Sequence, residues 1–300
     1  MDKIPPSTTP PEGTGSRVAS RCICCNGINL NKSPAVLMPF VAKRVFDWNP
    51  VEITAEWGLR DLRQGMAYSI CNSLQCPNCG ALFLDIRFTD AEMSSLYYGY
   101  RDVEYVTLRD QFEPGYAARN PMLVGGFDYI PRVERFLAPY VKSAPKVLDW
   151  GGDTGLNTPF RNVGSAIHIY DISHRPPVSG ATHIDKDTIQ RTEYDLIVLS
   201  NVIEHVPFPD ILLADVRDTM TRSTVLYIEV PHEDLIRLGS TPDEVLRAKR
   251  HWHEHINFFT SRALNILLER ASIEVLAMES MEISVGGKTS HVFMIASKMR

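Results

Sequence analysis

No apolar run in this 300-residue chain approaches the ~20 residues of a membrane-spanning helix. Positive charge is not in excess. The 31 Lys and Arg stand against 36 Asp and Glu, a net charge of −5, so no basic stripe speaks for nucleic acid as a partner. The first sixteen residues, MDKIPPSTTPPEGTGS, have no apolar signal core. Their Pro, Ser, Thr and Gly read residues 1–17 as a disordered tail and not a secretion signal. Cysteine is absent after residue 79. Without a signal segment, reduced thiols and a cytoplasmic location are expected, and a disulfide framework is not. There is no internal repeat and no G-x-G-x-x-G run, which counts against a dinucleotide-dependent oxidoreductase. The apolar content of 44% is enough for one large or two modest cores.

The most informative segment is KVLDWGGDTG, Lys146 to Gly155. A short apolar run ends in Asp149, a glycine-rich turn follows, and a helix is expected from about Leu156. Gly151, Gly152 and Gly155 suit a turn that a ligand backbone approaches closely, because glycine accepts positive φ and carries no Cβ. Asp149 would repel a pyrophosphate and suits a ligand bearing an ammonium and a sulfonium. Asp171 closes the next apolar strand, AIHIYD, with Ile172 after it. An acid about 20 residues past such a turn is placed to accept hydrogen bonds from a ribose diol.

These residues resemble motifs I and II of the class I S-adenosylmethionine-dependent methyltransferases. Motif I there reads D-x-G-x-G-x-G; here Asp149, Gly151, Asp153 and Gly155 hold its places, so an aspartate replaces the middle glycine. Aspartate visits left-handed φ more readily than most residues. YDLIVLSNVIEHVPFP, Tyr194 to Pro209, resembles motif IV: a buried strand, Asn201 at its carboxyl end, then Glu204 and His205. Helices over Asp210 to Met220 and Ser261 to Glu269 alternate with strands over Thr224 to Pro231, Ile273 to Met278 and His291 to Ser297. The expected fold is α/β with a parallel sheet and helices on both faces. The resemblance implies a Rossmann-like sheet of seven strands, the last antiparallel. It implies S-adenosylmethionine held by Asp149, Gly151, Gly152, Asp153, Gly155, Asp171, Ile172, Asn201 and His205.

All six cysteines lie between residues 22 and 79. Cys22-x-x-Cys25 and Cys76-x-x-Cys79 have the spacing at which two knuckles give four thiolates to a tetrahedral, structural zinc. Cys24 and Cys71 are surplus, and either has the chemistry to replace a ligand, Cys24 for Cys25 being the nearer swap. A module over 18–88, a helical substrate-side segment over 89–140 and a methyltransferase domain over 141–300 are the expected divisions. Thr89 and Glu92 form a capping-box pattern at the head of the middle segment.

The order of cysteine knuckles, tyrosine-rich stretch and methyltransferase half is similar to that of methyltransferases with an N-terminal zinc-binding module, among them the C-methyltransferases of deoxysugar biosynthesis. Those enzymes carry a tyrosine, here placed at Tyr100 or Tyr105, near the acceptor. They also carry a His-Glu-His stretch, matched by His253, Glu254 and His255, with Trp252 in the aromatic place. The resemblance makes His255 a general base and Glu254 its adjacent carboxylate. It implies a sugar, nucleotide-sugar or glycan acceptor and a monomer or homodimer. Their additional C-terminal domain has no counterpart in this sequence. The insert 232–252 reads as a lid with a dipole-matched helix, its basic end a candidate for a phosphate. A rival reading keeps the methyltransferase half as an inactive scaffold, with Asp153 as its support.

Overall fold

A computed structural model describes residues 17–58, 61–173, 175–239, 241–285 and 287–300. The tail expected over residues 1–17 lies outside the described residues, Arg17 excepted. The N-terminal part runs β1 (Asn31–Leu37), α1 (Pro39–Phe46), β2 (Val51–Ile53), β3 (Gly65–Ala67), β4 (Ile70–Gln75) and β5 (Leu82–Leu84). Four helices follow: α2 (Asp90–Tyr97), α3 (Val103–Phe112), α4 (Tyr116–Leu123) and α5 (Ile130–Leu137). The remainder alternates: β6 (Val147–Trp150), β7 (Ile167–Tyr170), β8 (Ala181–His183), α6 (Lys186–Gln190), β9 (Leu196–Ser200), α7 (Pro209–Arg217) and β10 (Val225–Pro231). It closes with α8 (Asp234–Leu238), α9 (Pro242–Ala248), β11 (His251–Trp252), β12 (Asn257–Phe258), α10 (Ser261–Arg270), β13 (Ile273–Val285) and β14 (Lys288–Met299). No described helix is long and apolar enough to cross a membrane.

The runs VLDW, LIVLS and VLYIEV are buried along nearly their whole length, the pattern of strands covered on both faces. They form the centre of a seven-stranded sheet of order β13-β14-β10-β9-β6-β7-β8. Strands β10, β9, β6, β7 and β8 are mutually parallel, and β14 is antiparallel to both its neighbours. The α/β, Rossmann-like sheet expected from the sequence is therefore present. One face packs on α7 and α10 through Leu213, Val216, Leu264 and Leu267. The other packs on α5 through Val133 and Leu137.

The helix expected after Gly155 does not form. The chain from β6 to β7 is a series of turns with one 3-10 turn, Arg161–Val163. From Gly155 onward three left-handed residues interrupt it, Gly155, Phe160 and Gly164, with φ of 77°, 64° and 78°. Thr158 and Asn157 spend their side chains elsewhere: Thr158 Oγ1 donates to Asp149, and Asn157 Oδ1 accepts the Phe127 N–H at 2.8 Å. Local hydrogen bonding of this kind competes with helix.

A second sheet, order β11-β1-β4-β5-β12, draws its outer strands from the far half of the chain. β11 pairs parallel with β1 (Leu37↔Trp252), and β12 pairs antiparallel with β5 (Phe258↔Leu82). Trp252 is fully buried, and its Nε1–H donates to Ser73 Oγ at 2.9 Å. Ser73 Oγ in turn donates to the Lys249 carbonyl at 2.5 Å. The insert is thus not simply a cover over a pocket. Val245 and Leu246 of α9 join the N-terminal core with Leu37 and Phe40. Lys249 is not free for a phosphate: it is buried, its ammonium lies 4.4 Å and 4.2 Å from the Trp252 and Phe258 rings, and burial pulls it down to about 8. Arg247 is paired with Asp243 at 2.9 Å. Replacing Trp252 by Ala should cost about 3–5 kcal/mol in chemical denaturation. Trp252→Phe should cost far less, because it keeps most of the buried ring and loses the bond to Ser73.

Candidate active site

The turn after β6 needs its glycines for space. Gly151 has φ 83°, and a Cβ there would stand 2.6 Å from Val202 Cγ2. A Cβ on Gly152 would stand 2.5 Å from the Asp149 carboxyl carbon. Asp153, in place of the middle glycine, adopts φ 51°, so the backbone keeps the left-handed turn. Its carboxylate turns to Arg175, 2.6 Å away, and its N–H donates to Asp171 Oδ2 at 2.8 Å. Ser173 N–H donates to the other Asp171 oxygen at 2.6 Å. Each oxygen of Asp171 keeps a further lone pair, which is what a diol requires. Ile172 is exposed beside it. Asp149 is buried and accepts from Thr158; burial pushes it up to about 7, Thr158 opposing and the Asp171, Glu229 and Asp153 charges adding.

The carboxyl end of β9 adjoins this turn through Val202. Asn201 has φ 53°, and its amide donates to Glu229 Oε1 at 3.1 Å. Glu229 on β10 is buried and also accepts from Tyr129, Ser200 and Tyr227 at 2.9, 3.0 and 2.7 Å. This satisfied carboxylate, which positions Asn201, had no signal beyond one acid in an apolar strand.

Four residues after Asn201, at His205, the chain meets the His-Glu-His stretch. His205 Nδ1 lies 2.9 Å from the Glu254 carbonyl and 2.8 Å from the Tyr97 hydroxyl. The His205 and His255 rings meet edge to face, 4.6 Å between centroids. His205 therefore stands with His255, not in the glycine turn. Tyr97, in the same tyrosine-rich stretch as Tyr100 and Tyr105, is the tyrosine that reaches this group. Tyr100 packs between Tyr97 and Tyr105, and Tyr105 is closed into the core against Phe40.

Glu254 does not face His255. It pairs with Arg109 at 2.7 Å. Burial opposes its ionisation, yet the Arg109 guanidinium and the two neighbouring histidines hold it down at about 2. The carboxylate beside His255 is Glu233, from the start of the insert, 3.2 Å from Nδ1. Burial pulls His255 down, but Glu233, with Glu204 and Glu254, wins and raises it. His253 is pulled down to about 4 by burial. Glu204 is almost wholly buried, neither carboxylate oxygen has a hydrogen-bond partner, and burial pushes it up to about 8.

The four cysteines Cys22, Cys25, Cys76 and Cys79 converge, every sulfur within 4.8 Å of the others. Cys22 and Cys79 sulfurs are 3.4 Å apart, Cys25 and Cys76 3.5 Å. Tetrahedral Zn–S bonds of ~2.3 Å put sulfurs ~3.8 Å apart, so the set fits such an ion. A Cβ on Gly27 would stand 3.3 Å from Cys25 Sγ, which explains that glycine. Cys25 holds its place in the group; Cys24 is buried behind it, and Cys71 lies in the other core.

The left-handed glycine turn, the acid closing β7 and the sheet order define a class, that of S-adenosylmethionine-dependent methyltransferases. Residues 127–277, just over half of the chain, match the methyltransferase domain family, and the chain belongs to that family. Comparison with curated proteins finds no match. Among solved structures, the chain is similar to a 1,6-didemethyltoxoflavin N1-methyltransferase from Burkholderia thailandensis with bound S-adenosylhomocysteine: 17% identity, 66% of this chain and 90% of that one, TM-score 0.45. It is also similar to a glycopeptide N-methyltransferase complexed with sinefungin (13%, 58% and 94%, TM-score 0.43). A third likeness is an S-adenosylmethionine-dependent methyltransferase from Methanosarcina mazei (14%, 55% and 96%, TM-score 0.39).

Asp149 gives a pH signature. Its folded pKa, about 7, lies above the ~3.9 of an unfolded aspartate. Between these values the folded chain holds a proton that the unfolded chain has lost, so this group's contribution to stability falls as pH rises through the window. The difference in unfolding free energy between wild type and Asp149→Asn should change by about 1.4 kcal/mol per pH unit from pH 4 to 7, then level off. Chemical denaturation across that range checks it.

Proposed function

We propose that this methyltransferase acts on a sugar, free, nucleotide-linked or part of a surface glycan, methylating it at carbon or oxygen. One observation carries the reading. The end of the tyrosine-bearing helix α2 and the His-Glu-His stretch meet at His205, with Tyr97 2.8 Å from Nδ1 and the His255 ring 4.6 Å away. A polar lining of phenol, imidazoles and the Glu233 carboxylate beside the β9 terminus suits a hydroxyl-rich acceptor. A cytoplasmic location belongs to the same reading, since four thiols gathered as a metal-ligand set are kept reduced there.

S-adenosylmethionine supplies an electrophilic methyl on a sulfonium. The chain's own part is to hold the acceptor atom in line and relieve it of its proton. Asp149 and the turn Gly151, Gly152, Asp153 and Gly155 face the cationic side of the cofactor, Asp171 its ribose diol, and Asn201 the rim. Asp153 does not spoil the turn, because its side chain is drawn off by Arg175. The group of Glu204, His205, His255 and Glu233 activates the acceptor. Glu254 serves by anchoring its stretch to Arg109 and not by touching the reacting atoms.

Labelled methyl transfer to keto-sugar and hydroxyl-sugar nucleotides tests the acceptor class; binding of S-adenosylmethionine with no transfer to any sugar would remove the sugar reading and leave the enzyme class. In an active pairing, His255→Ala should lower turnover by about 10²–10⁴-fold without changing S-adenosylmethionine affinity. Unchanged turnover would take His255 out of the chemistry.

The thiolate set has no open position when four sulfurs bind one ion, so its zinc is structural. Cys76→Ser should lose one zinc per chain in elemental analysis and lower the melting temperature. Retention of that zinc would place the ion elsewhere.

A further inference from the structure

Glu204, His205 and His255 each offer a ligand atom, and the three lie within 4.8 Å of one another. Hydrogen bonding on the outer side of each ring decides what faces the middle. The Glu254 carbonyl can only accept, so with the proton on His205 Nδ1 its 2.9 Å approach is a hydrogen bond, and the Tyr97 hydroxyl, 2.8 Å from the same atom, is a second acceptor. Nε2 of His205 is left with its lone pair, 3.8 Å from Glu204 Oε1. His255 repeats the arrangement: Nδ1 donates to Glu233 Oε1 at 3.2 Å, leaving Nε2 as an acceptor. Glu204 adds a carboxylate that is 1% exposed and has no donor on either oxygen. With both rings neutral, as ligation of an ion requires, acceptors from two separate segments converge on one point. Burying such a carboxylate without a counter-charge is costly, and native interiors rarely leave one so.

We propose that Glu204, His205 and His255 bind a divalent transition-metal ion. Two imidazoles and one carboxylate are the donor set of open, catalytic sites for ions such as Zn²⁺, Co²⁺ and Fe²⁺, and a poor one for Mg²⁺ or Ca²⁺. Metal–ligand bonds of ~2.1 Å put tetrahedral ligands ~3.4 Å apart, so the 3.8 Å between Glu204 and His205 has to close by only a few tenths of an ångström. The Glu254 carbonyl and the Glu233 carboxylate are the outer partners that fix ring orientation in such sites.

Its role rests on the methyltransferase reading above. The ion would occupy the turn next to Val202, which packs on Gly151, and so stand beside the cofactor end. An acceptor hydroxyl taking the open position would lose its proton to solvent, its acidity raised by the ion. The freed oxygen lone pair then forms the O–CH₃ bond as the S–CH₃ pair returns to sulfur, which turns the sulfonium into a neutral thioether. This favours an oxygen acceptor over a carbon one.

Metal binding is measured without cofactor or acceptor, so its outcome is separate from that of the sugar reading. Full-length protein is equilibrated with Co²⁺, freed of unbound ions, and its total divalent metal counted alongside its visible spectrum. The wild type should hold one ion beyond the thiolate site, with cobalt d–d bands that carry no thiolate charge transfer. Glu204→Gln, which keeps the side chain's shape, and His255→Ala, at a partly exposed ring, should each lose that ion and keep the thiolate signal. Glu233→Gln should weaken cobalt affinity by about 10–100-fold. Only the thiolate-bound ion in wild type at millimolar Co²⁺ would overturn the proposal and leave His255 as an imidazolium between Glu233 and Glu204. An extra ion retained in both ligand variants would overturn it as well.

Discussion

Asn257 pins the two halves of the active region together. Fully buried, its amide donates to the Ile203 and Val206 carbonyls at 3.0 and 2.7 Å, while its oxygen accepts from Arg87 at 2.9 Å. The Glu204 carbonyl adds two backbone bonds, from Ile256 and Asn257, at 2.8 and 3.0 Å. These bonds set the turn after β9 against the His-Glu-His stretch in one register. His205, Glu254 and His255 meet only because of it. Each bond alone contributes about 1 kcal/mol, but a buried side chain that satisfies three partners at once admits few alternative positions.

Around this pin the structure sorts its buried carboxylates by what surrounds them. Glu229 accepts from Tyr129, Ser200, Asn201 and Tyr227 and is a fixed post. Glu254 has a guanidinium beside it and stays charged. Asp149 is buried without a cation beside it, and the burial of Glu204 outweighs the opposing His255 charge, so both are pushed up toward neutral pH. The two unsettled acids stand at the glycine turn after β6 and in the turn after β9. Groups poised this way are where a charged ligand has most to give, since it supplies the compensation that the fold withholds.

Local features of the site were readable in the sequence, and long-range ones were not. The left-handed turn around Asp153, the capping box at Thr89 and the four convergent thiols each depend on residues a few positions apart or on a ligand spacing. The sheet followed from apolar runs alternating with helical patterns. The helix expected after Gly155 failed because Thr158 and Asn157 serve Asp149 and Phe127, partners that no local window weighs. Assigning Glu254 to His255 followed adjacency, but neighbours on an extended segment point to opposite sides. The actual partner, Glu233, lies 22 positions away, and Tyr97 reaches His205 across 108. Arg109, which captures Glu254, is 145 positions distant.

The two strands that the far half of the chain adds to the N-terminal sheet tie the cysteine module to the methyltransferase half. The second knuckle, Cys76 to Cys79, forms the turn between β4 and β5, and β5 pairs with β12, the strand that carries Asn257. Thr260, the cap of α10, donates to the Cys79 carbonyl at 2.7 Å, and Gly80 leaves no room for a Cβ against it. On the far side of the same sheet, β11 lies on β1 and holds Trp252. The stretch between Trp252 and Asn257 is therefore suspended from both edges of the N-terminal sheet, with His255 turned to His205 after β9 and Glu254 to Arg109. An ion holding the knuckles would stiffen β5 and, through β12, the pin itself. On this architecture the knuckles connect, through β5 and β12, to the strap that carries His255.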